Sequence, residues 1–391
     1  MKPAFLSLAL LFACPPAVVR AAPDAAEVKK AAVLQHAKII YANYFDCTAG
    51  ARRLQAAVKA FLAAPDAAGF QAAREAWTEA RRPYVQSEAY RFYAGPIDDP
   101  DGPEPQLNAW PLDESFIDAP PGSVDPGVVG NDRAWPKITP DLLFRLNQAD
   151  GEKNVACGWH AVEFLLWGPD VSRTGPGGRL FTDYTTAPHA KRRGEYLQAC
   201  ADLMLQQLAE LTLEWKPDEL GNYRAVFEEG IDFSVERIVT SLIFLSENEL
   251  AGERLQVAYD TKDQENEHSC FSDTTWQDNV MDATGMLNVW RGIYTKTDGT
   301  KLEGPGLRDI CRASAPDLEP LITALLEANL AKAKAIPQPF DQAITGADDS
   351  PGRSAIMALI VSLEETGSEL RKLAQALKIE VPDVPPEDIE G

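Results

Sequence analysis

The sequence predicts an all-α protein built as two helical bundles, and three observations carry that prediction. Apolar residues recur at helical spacing through every long segment. The alternation expected of strands is nowhere sustained. The 26 Gly and 29 Pro are concentrated in a few stretches, leaving long uninterrupted segments between them. With 45% hydrophobic residues and eight Trp among 391 residues, the chain has material for a large core in two domains or one enlarged domain.

The amino terminus reads as an export signal. Lys2 precedes an apolar run from Phe5 to Ala13 and a small-residue stretch ending at Ala21 and Ala22. That run is too short to span a bilayer and fits the apolar part of a signal peptide, so residues 1–21 are expected to be removed before Ala22. The alternative is a lipoprotein box, Leu11-Phe12-Ala13-Cys14, against which the bulk of Phe12 and the following Pro15 both argue. No later apolar run is long enough for a transmembrane segment, so the expected location is the periplasm or the cell envelope. Cys47, Cys157, Cys200, Cys270 and Cys311 remain after cleavage, none in a CxxC pair. An exported chain could join four of them in two disulfides or bury all five as free thiols.

Residues 22–180 form the expected first half. Val33, Ile40, Tyr44, Leu54, Val58 and Phe61 mark one helical face over residues 31–62. Ala64-Pro65-Asp66 ends it, and a second helix is expected over 69–92 with a kink at Pro83. Residues 95–136, dense in Pro, Gly and Asp, should form a long irregular excursion of the kind that often carries function. Within it Asp98-Asp99-Pro100-Asp101-Gly102 suggests a calcium loop, but Ile97 and Asn108 occupy its first and last ligand positions, so it reads as a turn. Thr139-Pro140 supplies an N-cap and a first-turn proline for a helix over 141–148, and another follows over 156–167.

The Gly-, Pro-, Ser- and Thr-rich residues 168–188 separate this half from residues 181–380. Helical patterns then cover 190–215, 223–259, 274–293, 316–335 and 353–377, before an acidic, Pro-containing tail at 381–391 that is expected to be mobile. Each half holds two long helices, an irregular acidic segment and further helices, an order consistent with duplication although no residue-level repeat is visible.

Charge narrows the functions. There are 59 acidic and 37 basic residues, a formal net charge of −22, which argues against nucleic acid as a partner. No GxSxG, GxGxxG or P-loop string occurs. The sharpest segment is GWHAVEFLLWG at 158–168, where His160 and Glu163 lie three apart and share one helical face. An imidazole with a carboxylate suits iron, zinc or copper. The plainer alternative is a buried His–Glu pair with a structural hydrogen bond. Ala161 and Phe164 rule out HExxH and HxxEH, and the chain has only four His, so a His-rich catalytic zinc site is disfavoured.

The string GWHAVEFLLWGPD resembles the GxHxxE signature of the imelysin-like family, and is most similar to its iron-regulated protein A type. Further similar segments are WTEARRPYVQSEAYRF at 77–92, NAWPLDE at 108–114, residues 192–197, SENELAGERL at 246–255 and EHSCFSDT at 267–274. The resemblance runs over roughly residues 36–378. It implies an exported all-helical protein of two bundle-like domains with its site between them, and iron uptake as the setting.

It further implies a metal or metal chelate, iron before zinc or copper, held by His160 and Glu163 with Glu88 as an additional carboxylate. Gly158, Trp159, Arg81, Tyr84, Trp110, Glu249, His268 and Asp273 would wall the site. Arg81, Tyr84 and Glu88 share a helical face, where the plain reading of Arg81 and Glu88 is a surface ion pair worth under ~1 kcal/mol. Asp273 equally suits an N-cap for the following helix. The leading function is thus metal or chelate binding in bacterial iron acquisition, alongside other envelope iron-uptake proteins. The family's peptidase label keeps a metallopeptidase with Glu163 as base as one alternative, although the missing zinc motifs argue against an enzyme. A metal-free envelope ligand-binding protein is the other.

Overall fold

A computed structural model describes residues 24–120 and 122–385. The export signal at 1–21, the lipidation alternative at Cys14 and residues 386–391 of the tail lie outside the described residues. The fold is all-α. A hairpin of Ile293–Thr295 with Lys301–Glu303 is the only sheet among the described residues, and its strands are too short for alternation to signal them. Among those residues no helix is long and apolar enough to cross a membrane.

The first helix, Ala25–Ala63, begins at Asp24, whose carboxylate accepts from the Ala26 amide at 3.2 Å. It buries Val33, Ile40, Tyr44, Leu54, Val58 and Phe61, the face marked by the periodicity. Ala67–Gln86 packs on it, capped by Asp66 accepting from the Gly69 amide at 2.7 Å. Pro83 lies inside this second helix, which passes into a 3₁₀ turn over Ser87–Tyr90 rather than continuing to residue 92. The Asn43 amide donates to the Pro83 carbonyl at 2.9 Å. Ala190–Glu214 also packs along the first helix, and the short Trp159–Trp167 helix lies against both Ala67–Gln86 and Ala190–Glu214.

A second group of helices contains Ile231–Phe244 and its continuation, Thr275–Arg291, Glu319–Ala335 and Pro351–Leu377. The single helix expected over 223–259 is instead divided: Tyr223–Glu229 stops at Gly230, and beyond Phe244 the helix widens into π-helical turns over Leu245–Gln256 before Val257–Thr261. The second and Thr275–Arg291 helices join the two groups. So does Asp46, whose carboxylate accepts from the Tyr294 hydroxyl, the Thr297 amide and the Thr297 hydroxyl at 2.9, 2.8 and 2.9 Å.

The irregular excursion contains helical turns at Glu104–Leu107, Glu114–Asp118 and Gly127–Gly130. Asp98 sits at its start as a turn residue, its carboxylate accepting from the amides of Phe92 and Gly95. Thr139 caps Pro140–Leu146 by accepting from the Leu142 amide at 3.2 Å. Cys47, Cys157, Cys200, Cys270 and Cys311 are all buried free thiols, so the disulfide alternative is not realised among the described residues.

Candidate functional site

Every residue of the Trp159–Trp167 helix is buried, and glycine makes its entry feasible. Gly158 adopts φ +93°, and a Cβ there would lie 2.5 Å from the Leu107 carbonyl oxygen. Trp159 is fixed between Tyr84 and Trp77, ring centroids 5.3 and 6.1 Å away, and the Trp77 indole donates to the Trp159 carbonyl at 3.0 Å. These contacts set the rotation of the helix and turn His160 towards the seam between the two groups of helices.

Five segments converge there. His160 Nδ1 lies 3.1 Å from Glu163 Oε2, while Glu163 Oε1 accepts from the Ser272 amide at 2.9 Å and the Ser272 hydroxyl at 2.6 Å. The other ring nitrogen, His160 Nε2, faces His268 Nε2 at 3.3 Å. Arg81 Nη2 reaches His268 Nδ1 at 3.2 Å and His160 Nε2 at 3.4 Å. Asp278 anchors the guanidinium, accepting from Arg81 Nε at 3.1 Å and Nη2 at 3.0 Å, and also lies 3.3 Å from His268 Nδ1. Ser269 donates to the same Asp278 oxygen at 2.6 Å. The Trp110 ring closes over His160, centroids 4.9 Å apart.

Electrostatics keep both imidazoles neutral. Burial, reinforced by the Arg81 charge and by His268, holds His160 well below the usual histidine range. Burial followed by Arg254 and Arg81 does the same to His268. Burial pushes Glu163 up to about 8, with Arg81 and the Ser272 hydrogen bonds pulling the other way. With Glu163 ionised, this proton arrangement satisfies the row: Arg81 donates to His268 Nδ1, His268 Nε2–H to His160 Nε2, and His160 Nδ1–H to Glu163. Moving the His268 proton to Nδ1, beside Asp278, would free both Nε2 lone pairs.

His268, Asn108 and Trp110 line a cleft of about 730 Å³ whose walls include Arg91, Glu249 and Arg254. Behind it lies a buried ionic network. Glu88 accepts from Arg91 at 2.8 Å and Arg254 at 2.7 Å, and Arg254 also meets Glu249 at 2.7 Å and Asp282 at 3.2 Å. Burial opposes ionisation of Glu88, but Arg91 and Arg254 outweigh it and hold the carboxyl below its usual range.

The residues singled out from the sequence therefore take different places. His160, Arg81 and His268 meet directly, and Glu163 stands behind the His160 ring with both oxygens engaged. Glu88 is not beside His160. It is committed to two arginines and linked to the cluster through Asn108, whose side chain contacts Glu88 at 3.5 Å and Arg81 at 3.2 Å. This makes Glu88 an internal ionic anchor rather than the surface partner of Arg81. Gly158, Trp159 and Tyr84 orient the helix, Trp110 lies over His160, and Glu249 stands at the cleft wall. Asp273 does not cap the next helix: Thr274 is the N-cap residue, and Asp273 has φ +56°. Asp278 and Asp282 go unmarked in the sequence, and Ser272 stands there only within the 267–274 segment, because isolated acids and serines carry no spacing signal.

The family model described as Imelysin matches residues 40–370. Iron-regulated protein A of Synechococcus elongatus is 23% identical over 348 residues, covering 86% of this chain and 82% of the relative. A crystal structure assigned to an iron-regulated protein A precursor of Parabacteroides distasonis superposes with a TM-score of 0.66 at 18% identity, covering 91% of this chain and 98% of that one. An imelysin-like protein of Psychrobacter arcticum superposes with a TM-score of 0.65 at 14% identity, covering 93% and 100%. At these identities the two structures establish the shared fold alone.

Proposed function

Because the chain belongs to the imelysin family, we propose that it is an exported protein of iron acquisition that holds a metal ion or metal chelate at the buried His160–His268 pair, which meets the cleft through His268. Iron is the first candidate, with zinc and copper as alternatives. The family and the iron-regulated relative support an iron-related role. The observation that carries metal binding is the facing of two neutral imidazole nitrogens at 3.3 Å. Two histidines on one tetrahedral ion, with metal–nitrogen bonds near 2.0–2.1 Å, hold their nitrogens about 3.3–3.4 Å apart. Each ring also has its Nδ1 beside a carboxylate, Glu163 for His160 and Asp278 for His268. That arrangement fixes ring orientation and raises ligand basicity.

This reading revises the ligand set. Glu163 orients His160, and Glu88 neutralises arginines, so neither is a direct ligand. No group of three His, Cys, Asp or Glu able to hold an ion occurs among the described residues. The two histidines thus suit a metal that keeps water or chelator ligands of its own. Arg81 must surrender its two ring contacts on loading while staying anchored to Asp278. At the cleft wall Glu104, Glu152, Glu249 and Glu253 outnumber Arg91 and Arg254, which favours entry of a cation. The geometry favours binding over proteolysis: with both Glu163 oxygens engaged, the carboxylate is not free to act as the base of a metallopeptidase. Delivery to other envelope iron-uptake proteins is the corresponding biological role.

Calorimetric titration of ferrous and ferric iron, zinc and copper into wild type, His160→Ala and His268→Ala tests the proposal. Loss of binding in both variants with folding retained supports it. Unchanged affinity with reduced stability shows that the histidines are purely structural.

A further inference from the structure

Granting metal binding at the His160–His268 pair, on which the inference rests, we propose that the ligand of the cleft is a positively charged metal complex. Its chelator is uncharged, carries N–H groups and leaves two neighbouring coordination positions open. The two histidines are a partial ligand set. No group of three His, Cys, Asp or Glu able to hold an ion occurs among the described residues, whereas metals of this kind take about four to six ligands. The rest must arrive with the metal, and the cleft has room for them. Its volume of about 730 Å³ lies in the range of small-molecule pockets, while six waters around an ion occupy only about 180 Å³. His268 lies in the cleft wall with His160 directly behind it, so an entering complex meets the two ring nitrogens in turn.

The arginines of the wall do not make it an anion site. All three nitrogens of Arg254 are taken, by Glu249 at 2.8 Å, Asp282 at 3.2 Å and Glu88 at 2.7 Å. Arg91 is held by Glu88 at 2.8 Å and Glu104 at 3.3 Å. Burial raises the carboxyls of Glu104 and Asp282, yet with both protonated Glu88 and Glu249 still match the two arginines one for one. Glu152 and Glu253 remain. Both are exposed at the cleft, and among the described residues neither forms an ion pair, so they leave the cleft with a net negative charge.

The hydrogen-bonding groups of the wall carry the same bias. Gln148 spends a side-chain N–H on the Glu152 carbonyl at 3.0 Å, and Asn266 spends one on the Thr261 hydroxyl at 3.0 Å. The Asn108 amide is turned to Glu88 at 3.5 Å. Gln148 and Asn266 each keep a free acceptor oxygen, and the carboxylates of Glu152 and Glu253 add more. Amine N–H groups on a metal complex pair with these acceptors. The oxygens of an anionic chelator would find few donors here, and an acceptor buried without one is costly. Trp110 adds an aromatic wall, which also favours a cation.

The test titrates three probes into the metal-free chain by calorimetry: Ni²⁺ held by tris(2-aminoethyl)amine, Ni²⁺ held by nitrilotriacetate, and Ni²⁺ alone. Both chelators supply four donors and leave two neighbouring positions, but the first complex is dipositive and the second mononegative. In low salt the dipositive complex should bind at least about tenfold more tightly than the mononegative one, the gap narrowing as salt is added. It should bind no more weakly than Ni²⁺ alone. Glu152→Gln and Glu253→Gln together should close most of the gap without lowering the melting temperature, and His268→Ala should lose both complexes. A smaller gap, or one that survives the double substitution, overturns the charge selection while leaving metal binding at the histidines intact. Tighter binding of Ni²⁺ alone overturns the chelate in the same way. Failure of all three probes to bind, or binding that survives His268→Ala, sinks the metal reading itself and this inference with it.

Discussion

His160 Nε2 and His268 Nε2 face one another at 3.3 Å although 108 positions separate the two residues in the chain. Each ring is aimed from behind by a carboxylate, Glu163 at 3.1 Å and Asp278 at 3.3 Å. The pair is consequently a joint between the two groups of helices as well as a donor pair, and removing either ring alters both.

Metal affinity should reveal that pairing as non-additivity. His160→Ala and His268→Ala are each expected to weaken binding more than tenfold, and the double variant should lose little beyond the worse single one. Glu163→Gln should cost about 10–100-fold, the range for a group that orients a ligand. Calorimetry on all four proteins checks this, and additive losses would show two independent sites.

Glu88→Ala should destabilise the fold by about 3–5 kcal/mol, because it leaves Arg91 and Arg254 buried without their shared counter-charge. Urea unfolding measures it. A loss below about 1 kcal/mol would mean that the network behaves like exposed ion pairs.

Gly158→Ala should cost about 1–3 kcal/mol through its positive φ alone, with the clash against Leu107 adding to it. Indole fluorescence from Trp77 and Trp159 should shift with it, since the substitution displaces the start of the Trp159–Trp167 helix, against which Trp77 packs. An alanine variant as stable as wild type would contradict the close approach.

His36 supplies a pH signature outside the site. It is buried against Tyr90 and Phe227, and burial lowers it to about 3 from an ordinary 6.5. Below pH 6.5 the unfolded chain takes up a proton there that the folded chain refuses, so stability falls as pH drops towards 3. The slope within that window approaches ~1.4 kcal/mol per pH unit for this one group. His36→Phe should lose stability less steeply than wild type between pH 6.5 and 4; parallel slopes would contradict the burial penalty.

The buried thiols should be silent in the folded protein. Burial raises Cys47, Cys157, Cys200, Cys270 and Cys311 above the ordinary thiol range. A thiol reagent should therefore label them only after denaturation, and reduction should leave the melting temperature unchanged.

The pattern of apolar residues was enough to outline the long helices, because Val33 to Phe61 and their counterparts repeat at a spacing only a helix uses. It missed the break at Gly230 and the π-helical turns at Leu245–Gln256, since both keep apolar residues roughly in phase. His160 and Glu163 were legible as an i, i+3 pair, and Arg81 and His268 through their resemblance to family segments. Their partners were not. Asp278 is an unremarkable helical acid until the fold sets it against Arg81, and the pairing of Glu88 with Arg254 was invisible because Arg254 lies 166 positions away. Local spacing reports who shares a face, not who arrives from elsewhere.

Asp46 gives the molecule an order of completion. Its three donors, on Tyr294 and Thr297, lie 248 and 251 positions later. Contacts closed over such distances form late and slowly. While the chain is being made, Asp46 on the first helix must wait without these donors until the hairpin is available. A chain halted before residue 297 would lack the donors that fasten this helix. The molecule locks its beginning only once most of its length has been delivered.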